Sequence, residues 1–189
     1  MRLLKNRSRG LYLCLSLLLA LAIGGSMIAH ADSGKAKAIV KAGTLSFSNA
    51  KNDVSLQVDN KVRLASYTLP IAVTDARGSG KGWNLSITST LFMTSDGKNK
   101  LPANASSITR VNTSCGAHST CTKPIDTISY PLVVPAGNPA PSPVKFFDAA
   151  LSSGLGVFSL LMMVNVTIPA SAKSGTYTST ITLKIANGP

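Results

Sequence analysis

Apolar and polar residues alternate along most of the chain after residue 43, and that alternation predicts strands. Between residues 177 and 185, Tyr177, Ile181, Leu183 and Ile185 share one parity while Thr178, Thr180, Thr182 and Lys184 occupy the other with Thr176, so one face belongs to a core and one to water. Trp83, Leu85, Ile87 and Leu91 alternate in the same way with Asn84, Ser86, Thr88 and Thr90. Antiparallel pairing with one solvated face is the natural setting for both. Strands are predicted over 44–48, 54–58, 66–74, 83–93, 106–111, 127–134, 157–168 and 177–185, separated by clusters of Gly, Asn, Asp, Ser and Pro. The segment 157–168 is apolar enough to be a central strand buried mostly on both faces, ended by Pro169. Five prolines, from Pro131 to Pro143, make 136–144 a stiff extended loop, read as a sandwich crossover. About eight strands with turns every ten residues or so describe an all-β, antiparallel β-sandwich of immunoglobulin-like proportions, with a closed barrel as the alternative.

The first thirty residues follow a different pattern. Arg2, Lys5, Arg7 and Arg9 precede an apolar run from Leu11 to Ile23, and Ala29-His30-Ala31 follows, which is the organisation of a secretory signal cleaved after Ala31. An uncleaved anchor helix is the competing reading, against which the dense apolar run is shorter than the ~20 residues a span requires. Residues 1–31 are therefore expected to be a signal peptide, 32–42 a flexible leader and 43–189 a single β-sandwich domain.

Composition supports this outline and sharpens the charge. The chain of 189 residues has 44% hydrophobic and 14% charged residues, unlike a disordered sequence. Its 19 Lys and Arg face seven acids, all Asp, and removal of residues 1–31 takes four cations and no acid, lowering the net charge from +12 to +8. The cleaved chain retains Cys115, Cys121 and His118. An exported pair so closely spaced forms a local disulfide most simply, while a metal site from both sulfurs and His118 lacks a fourth ligand.

Enzymatic readings find little to build on. A hydrolase triad would depend on His118, lodged between the cysteines, and no pair of carboxylates stands out as a glycosidase pair. Ser48 to Lys51 and Ser142 to Lys145 match Ser-x-x-Lys, a nucleophile motif that belongs at a helix start in a larger domain. The run 78–82 is not a phosphate loop, because Gly82 follows Lys81 where Ser or Thr is required and no helix follows. Nucleic acid is an improbable partner for an exported chain with scattered lysines, whereas cell-surface polyanions satisfy the same electrostatics.

One block is specific. Asp75-Ala76-Arg77-Gly78-Ser79-Gly80-Lys81-Gly82-Trp83-Asn84-Leu85 follows a strand and contains the single Trp of the chain. It resembles the first signature of the WxL-domain cell-surface proteins, in which a strand, an Asp-x-Arg-Gly turn and Gly-Trp-x-Leu run together. The family's C-terminal pattern, Tyr-x-x-x-Ile-x-Trp-x-Leu and then Pro, is met in spacing by Tyr177, Ile181, Leu183, Ile185 and Pro189, with Leu183 in place of the second Trp and Ile185 in place of its Leu.

The resemblance implies a secreted bacterial domain held non-covalently on the cell wall through peptidoglycan or associated anionic polymers, sometimes beside other surface proteins, with no enzymatic activity and no cofactor. The lack of a C-terminal sorting motif is consistent with such retention. The wall-binding candidates are Asp75, Arg77, Gly78, Gly80, Lys81, Gly82, Trp83, Asn84, Leu85, Tyr177, Leu183 and Ile185. In this reading Trp83 and the turn present a stacking and hydrogen-bonding surface to glycan, and Arg77 and Lys81 attract wall polyanions. The plainer reading of the same residues puts Trp83 in the core and has Asp75 and Arg77 close the turn as a salt bridge. The alternative function is a structural or adhesive subunit that recognises a protein through a strand edge or the proline-rich loop, and a small secreted hydrolase comes third.

Overall fold

The alternating segments fold into two packed sheets, seen in a computed structural model that describes residues 41–59 and 61–189. The expected signal segment, its cleavage after Ala31 and most of the leader lie outside the described residues. The strands are β1 (Leu45–Phe47), β2 (Lys51–Val58), β3 (Leu64–Asp75), β4 (Trp83–Thr90), β5 (Ser106–Cys115), β6 (Cys121–Thr122), β7 (Leu132–Val133), β8 (Ala136–Gly137), β9 (Val144–Ala149), β10 (Leu155–Thr167) and β11 (Gly175–Asn187). One sheet runs β1-β3-β10-β5-β7, with β6 also on β10; the other runs β2-β11-β4-β8, with β9 also on β4. All pairings are antiparallel except the short one between β4 and β8. The described residues contain no helix.

The core lies between the inward parities of the two sheets. Ile71 and Val73 of β3 and Phe158, Leu160, Met162, Val164 and Val166 of β10 face Leu85 and Ile87 of β4 and Tyr177, Ile181 and Leu183 of β11. These side chains exclude water along one face of each strand, and it is this apolar burial that holds the layers together.

Three expectations are corrected, and one strand is new. The segment 157–168 is central but is buried on one face, since Val157 and Leu161 on the other parity are 38% and 39% exposed. Of 127–134 just Leu132–Val133 is strand, because carboxylates take the place of a ladder: Asp148 accepts from the Thr127 N–H and Oγ1, and Asp126 from the Ile128 N–H. The stretch 136–144 is not wholly loop, for it contains β8 and leads straight into β9. Strand β9 escapes the alternation rule because a bulge between Leu85 and Ser86 sets Leu85 opposite Phe147 and Ser86 opposite Lys145, so Phe146 is the extra residue and both Phe146 and Phe147 are buried. The prolines nonetheless do what a crossover requires. Backbone carbonyls of Pro135 and Pro141 accept from the Ser89 N–H and Thr88 Oγ1, laying the loop along β4.

Strands β5 and β6 lie along the same side of β10, with Cys115 opposite Phe158 and Cys121 opposite Gly156. The disulfide between Cys115 and Cys121 closes the excursion between them.

Candidate functional site

The signature block assembles one end of the sandwich. Asp75 ends β3 opposite Leu45 of β1, and three glycines with positive φ, Gly78, Gly80 and Gly82, carry the chain round to Trp83 at the start of β4. Gly82 is required by space as well as by dihedral, since a Cβ there would sit 2.3 Å from the Ala149 carbonyl oxygen.

Arg77 ties this turn together. Its Nε and Nη2 donate to Asp75 Oδ1 and Oδ2 at 2.8 Å each, Nη2 also donates to the Gly82 carbonyl at 2.8 Å, and Nη1 donates to Asn187 Oδ1 at 2.6 Å. The fork joins the start of the turn, its end and the last strand in a way a lysine's single ammonium cannot. The Asp75 side chain is fully buried, and the Arg77 hydrogen bonds hold its carboxyl below the usual aspartate range. Asn84 Nδ2 donates to the Gly188 carbonyl at 2.8 Å, and the Gly188 N–H reaches the Gly82 carbonyl, so the C-terminal strand is fastened twice more.

Trp83 is 0% exposed. Its Nε1 donates to the Gly154 carbonyl at 2.8 Å, and the indole packs on Phe147 and Phe158 at centroid distances of 5.7 and 6.3 Å. A Cβ on Gly154 would lie 2.7 Å from Nε1, so the glycine is what lets the loop after β9 close over the indole. Ser152 donates its N–H to the Gly80 carbonyl at 2.7 Å, which docks that loop on the signature turn.

Of the sequence candidates, Asp75, Arg77, Gly80, Gly82, Trp83, Asn84 and Leu85 are brought together, and Ile185 joins them opposite Leu85. Lys81 and Gly78 are exposed at the crown of the turn. Leu183 stands apart: it is buried opposite Ile87, in the middle of β11. Four residues separate Leu183 from Asn187, the partner of Trp83, a distance of roughly 14 Å along a strand. Tyr177 is at the far end, buried, with its hydroxyl donating to the Lys173 carbonyl.

Sequence reasoning missed Asn187, Gly188, Gly154 and Ser152, which complete the clasp. Asn187 follows the last alternating pair, and Gly154 sits in a Ser-Ser-Gly-Leu-Gly run that reads as an ordinary turn. It also missed a half-buried polar cluster beside the same end. Tyr130 Oη lies 2.6 Å from the Phe146 carbonyl and 3.0 Å from Asp126 Oδ2, its single proton placed between these two acceptors, and the Asp148 N–H donates to Asp126 Oδ1. Burial lifts the Asp126 carboxyl above its ordinary range, and both carboxylates are occupied in fastening the 125–131 segment to β9. Among the described residues no group of three or more His, Cys, Asp or Glu is placed to hold a metal ion.

Fold and clasp define a two-sheet β domain with one local disulfide, a bond that persists in oxidising compartments. The model of the family described as WxL domain surface cell wall-binding matches residues 27–189, and the chain belongs to that family. Neither a curated protein nor a solved structure matches it.

Proposed function

We propose that the domain holds itself non-covalently to the cell wall, with peptidoglycan as the ligand, and that it catalyses nothing. The observation that carries this reading is the clasp: Asp75 is taken up by Arg77, and Arg77, Trp83 and Asn84 spend their side-chain donors on Asn187, Gly82, Gly154 and Gly188 of the domain itself. The signature thus shapes an end of the sandwich, and wall contact falls to what that end exposes, the backbone of Gly78 and the Ser79 and Lys81 residues beside it. The role first assigned to the indole passes to this crown. Localisation outside the cell and export by a cleaved signal follow from the same reading.

The test is co-sedimentation of the exported chain with isolated sacculi, with and without their anionic polymers, over a range of salt. Binding to stripped sacculi that persists at high salt is the expected result. No binding to stripped sacculi at any salt overturns it.

A second reading, recognition of a protein, has its own support. Ile125 and Leu151 are 61% and 68% exposed beside the clasp, where the Ala150 N–H bonds the Ile125 carbonyl. Among the described residues β1 covers β3 just at Val73–Asp75, leaving the edge from Leu64 to Leu69 without a neighbour on that side. Recovery of the exported chain in a fixed stoichiometric complex would favour this reading.

A further inference from the structure

The end of the sandwich opposite the clasp carries a polar cleft of about 410 Å³. One wall is formed by Lys98, Asn99 and Lys100 and the other by Ser171 and Lys173, with the buried Tyr177 between them. Both walls are built rather than loose. The first is the tip of a turn closed by the Gly97 N–H on the Thr94 carbonyl at 2.8 Å and the Leu101 N–H on the Phe92 carbonyl at 2.9 Å. Met93 at its base bridges Lys100 on one side and Thr178 of β11 on the other. The second wall is a turn closed by the Ala172 N–H on the Pro169 carbonyl and pinned by the Tyr177 hydroxyl on the Lys173 carbonyl.

Three lysines and no acidic residue line this cleft. Asp96, two residues before Lys98, accepts through Oδ1 from Thr94 Oγ1 at 2.6 Å and from the Lys98 N–H at 3.1 Å, so its charge is partly engaged by its own turn. Among the described residues the one ion pair is Asp75–Arg77, at the other end, so the three lysines have no carboxylate within salt-bridge distance. Holding like charges around a hydrogen-bonded cleft costs free energy that an anion would remove.

We propose that this cleft binds the phosphodiester groups of an anionic polyol-phosphate polymer of the wall. The inference rests on the proposed wall attachment for where the polymer is met, but it concerns a different ligand and the opposite end of the domain. Lysine offers a compact point charge with donors in several directions, which suits a tetrahedral phosphate, and no Arg lines the cleft to grip a single anion bidentately. A repeating phosphodiester chain also presents successive charges to three cations at once. Binding by the crown and by the cleft together would raise retention through effective concentration, with no new contact at either.

The test uses purified poly(glycerol phosphate) as probe and the exported chain in three forms: unaltered, Lys98→Ala/Lys100→Ala/Lys173→Ala, and Lys51→Ala/Lys145→Ala/Lys184→Ala. The last removes the same charge from exposed positions on β2, β9 and β11 away from the cleft. The expected result is that the cleft variant loses about tenfold or more in affinity at low salt and that its slope of log affinity against log salt falls by about 2, while the control variant changes far less. In the unaltered chain, the polymer is expected to shift the amide resonances of Lys98 to Lys100 and Ser171 to Lys173, a readout that needs no variant. Equal losses in both variants, or amide shifts spread over the whole surface, overturn the proposal in favour of diffuse charge. Equal loss of binding to phosphatidylglycerol vesicles or of inorganic phosphate, with no preference for the polymer, overturns the polymer as the source of the phosphate. Stripped sacculi separate the two ideas. Polymer binding without sacculus binding leaves the cleft standing and removes the peptidoglycan reading; sacculus binding without polymer binding does the reverse.

Discussion

Replacement of Trp83 by Ala is the perturbation that divides a structural from a ligand-contacting signature most sharply. The indole has no exposure, so truncation removes most of an aromatic side chain's buried surface, roughly 150–250 Å². At about 25 cal/mol per Å² the transfer term is about 4 kcal/mol, and large-to-small aromatic substitutions in cores cost about 3–5 kcal/mol. The Gly154 carbonyl loses its 2.8 Å donor in the same stroke, which favours the upper half of that range. For a domain of this size, about 4 kcal/mol lowers the melting temperature by roughly 15 °C. Trp83→Phe keeps ring contacts with Phe147 and Phe158 and loses the hydrogen bond, so a drop of about 1–2 kcal/mol is expected. Thermal denaturation followed by circular dichroism gives both numbers, and sedimentation with sacculi well below the lower melting temperature gives binding. Trp83 being the single Trp, its fluorescence adds a check: emission shielded from acrylamide in the native state and unmoved by wall fragments. A Trp83→Ala chain that melts within about 2 °C of wild type yet no longer binds wall would refute the reasoning.

Three further outcomes follow from the same contacts. Folding depresses the Asp75 carboxyl from its ordinary value of 3.8, so it adds stability above that value which is lost as pH falls through the folded one; the urea midpoint of Asp75→Asn is thus expected to trail wild type at pH 7 by a gap that narrows as pH falls below 3.8, and a gap independent of pH would contradict the clasp. Gly82→Ala forces a Cβ onto the Ala149 carbonyl at positive φ and is expected to cost about 3 kcal/mol or more, whereas Gly78→Ala, with nothing within 4 Å, costs about 1 kcal/mol, so equal melting temperatures for the two would show that the turn can shift. Replacing Cys115 and Cys121 by Ser opens a short ring with six-residue sequence separation, for which chain entropy gives about 2 kcal/mol; denaturant unfolding measures that loss, and sacculus binding is expected to be retained.

The strands that were legible in the sequence are those whose two faces see different solvents. In β4 and β11 the alternation of Trp83, Leu85 and Ile87 and of Tyr177, Ile181 and Leu183 survives unchanged into burial. Strand β9 was not legible, because the bulge at Phe146 sets two aromatic residues in the core in succession and so destroys the period. Over 127–130 the period misled, because Asp126 and Asp148 satisfy backbone groups that a second strand satisfies elsewhere, and no local pattern distinguishes a carboxylate from a neighbouring strand as acceptor. The candidate site divides in the same way. Asp75, Arg77 and the glycines announced a turn because they are contiguous, but Asn187 and Gly154 enter it from distant strands. Lys173 of the cleft stands 73 or more residues from Lys98 and Lys100 in sequence, and β4 and β11, neighbours in one sheet, bring their loops together.

The departure at Leu183 takes its meaning from this geometry. Two tryptophans at the family's two signature positions suggest, from sequence alone, a joint surface that this chain has half lost. The antiparallel register denies that arrangement: Trp83 pairs with Asn187 at the end of the sheet, while Leu183 pairs with Ile87 nearer its middle. Both side chains are buried, and Leu183 belongs to the core cluster in the middle of its strand rather than to the crown. A Leu at this position therefore changes the filling of the core, where shape and volume are what matter, and leaves Gly78, Ser79 and Lys81 where Arg77 holds them. On this argument the degraded half of the signature is a repacked core, and the substitution leaves the clasp and its exposed turn as they are.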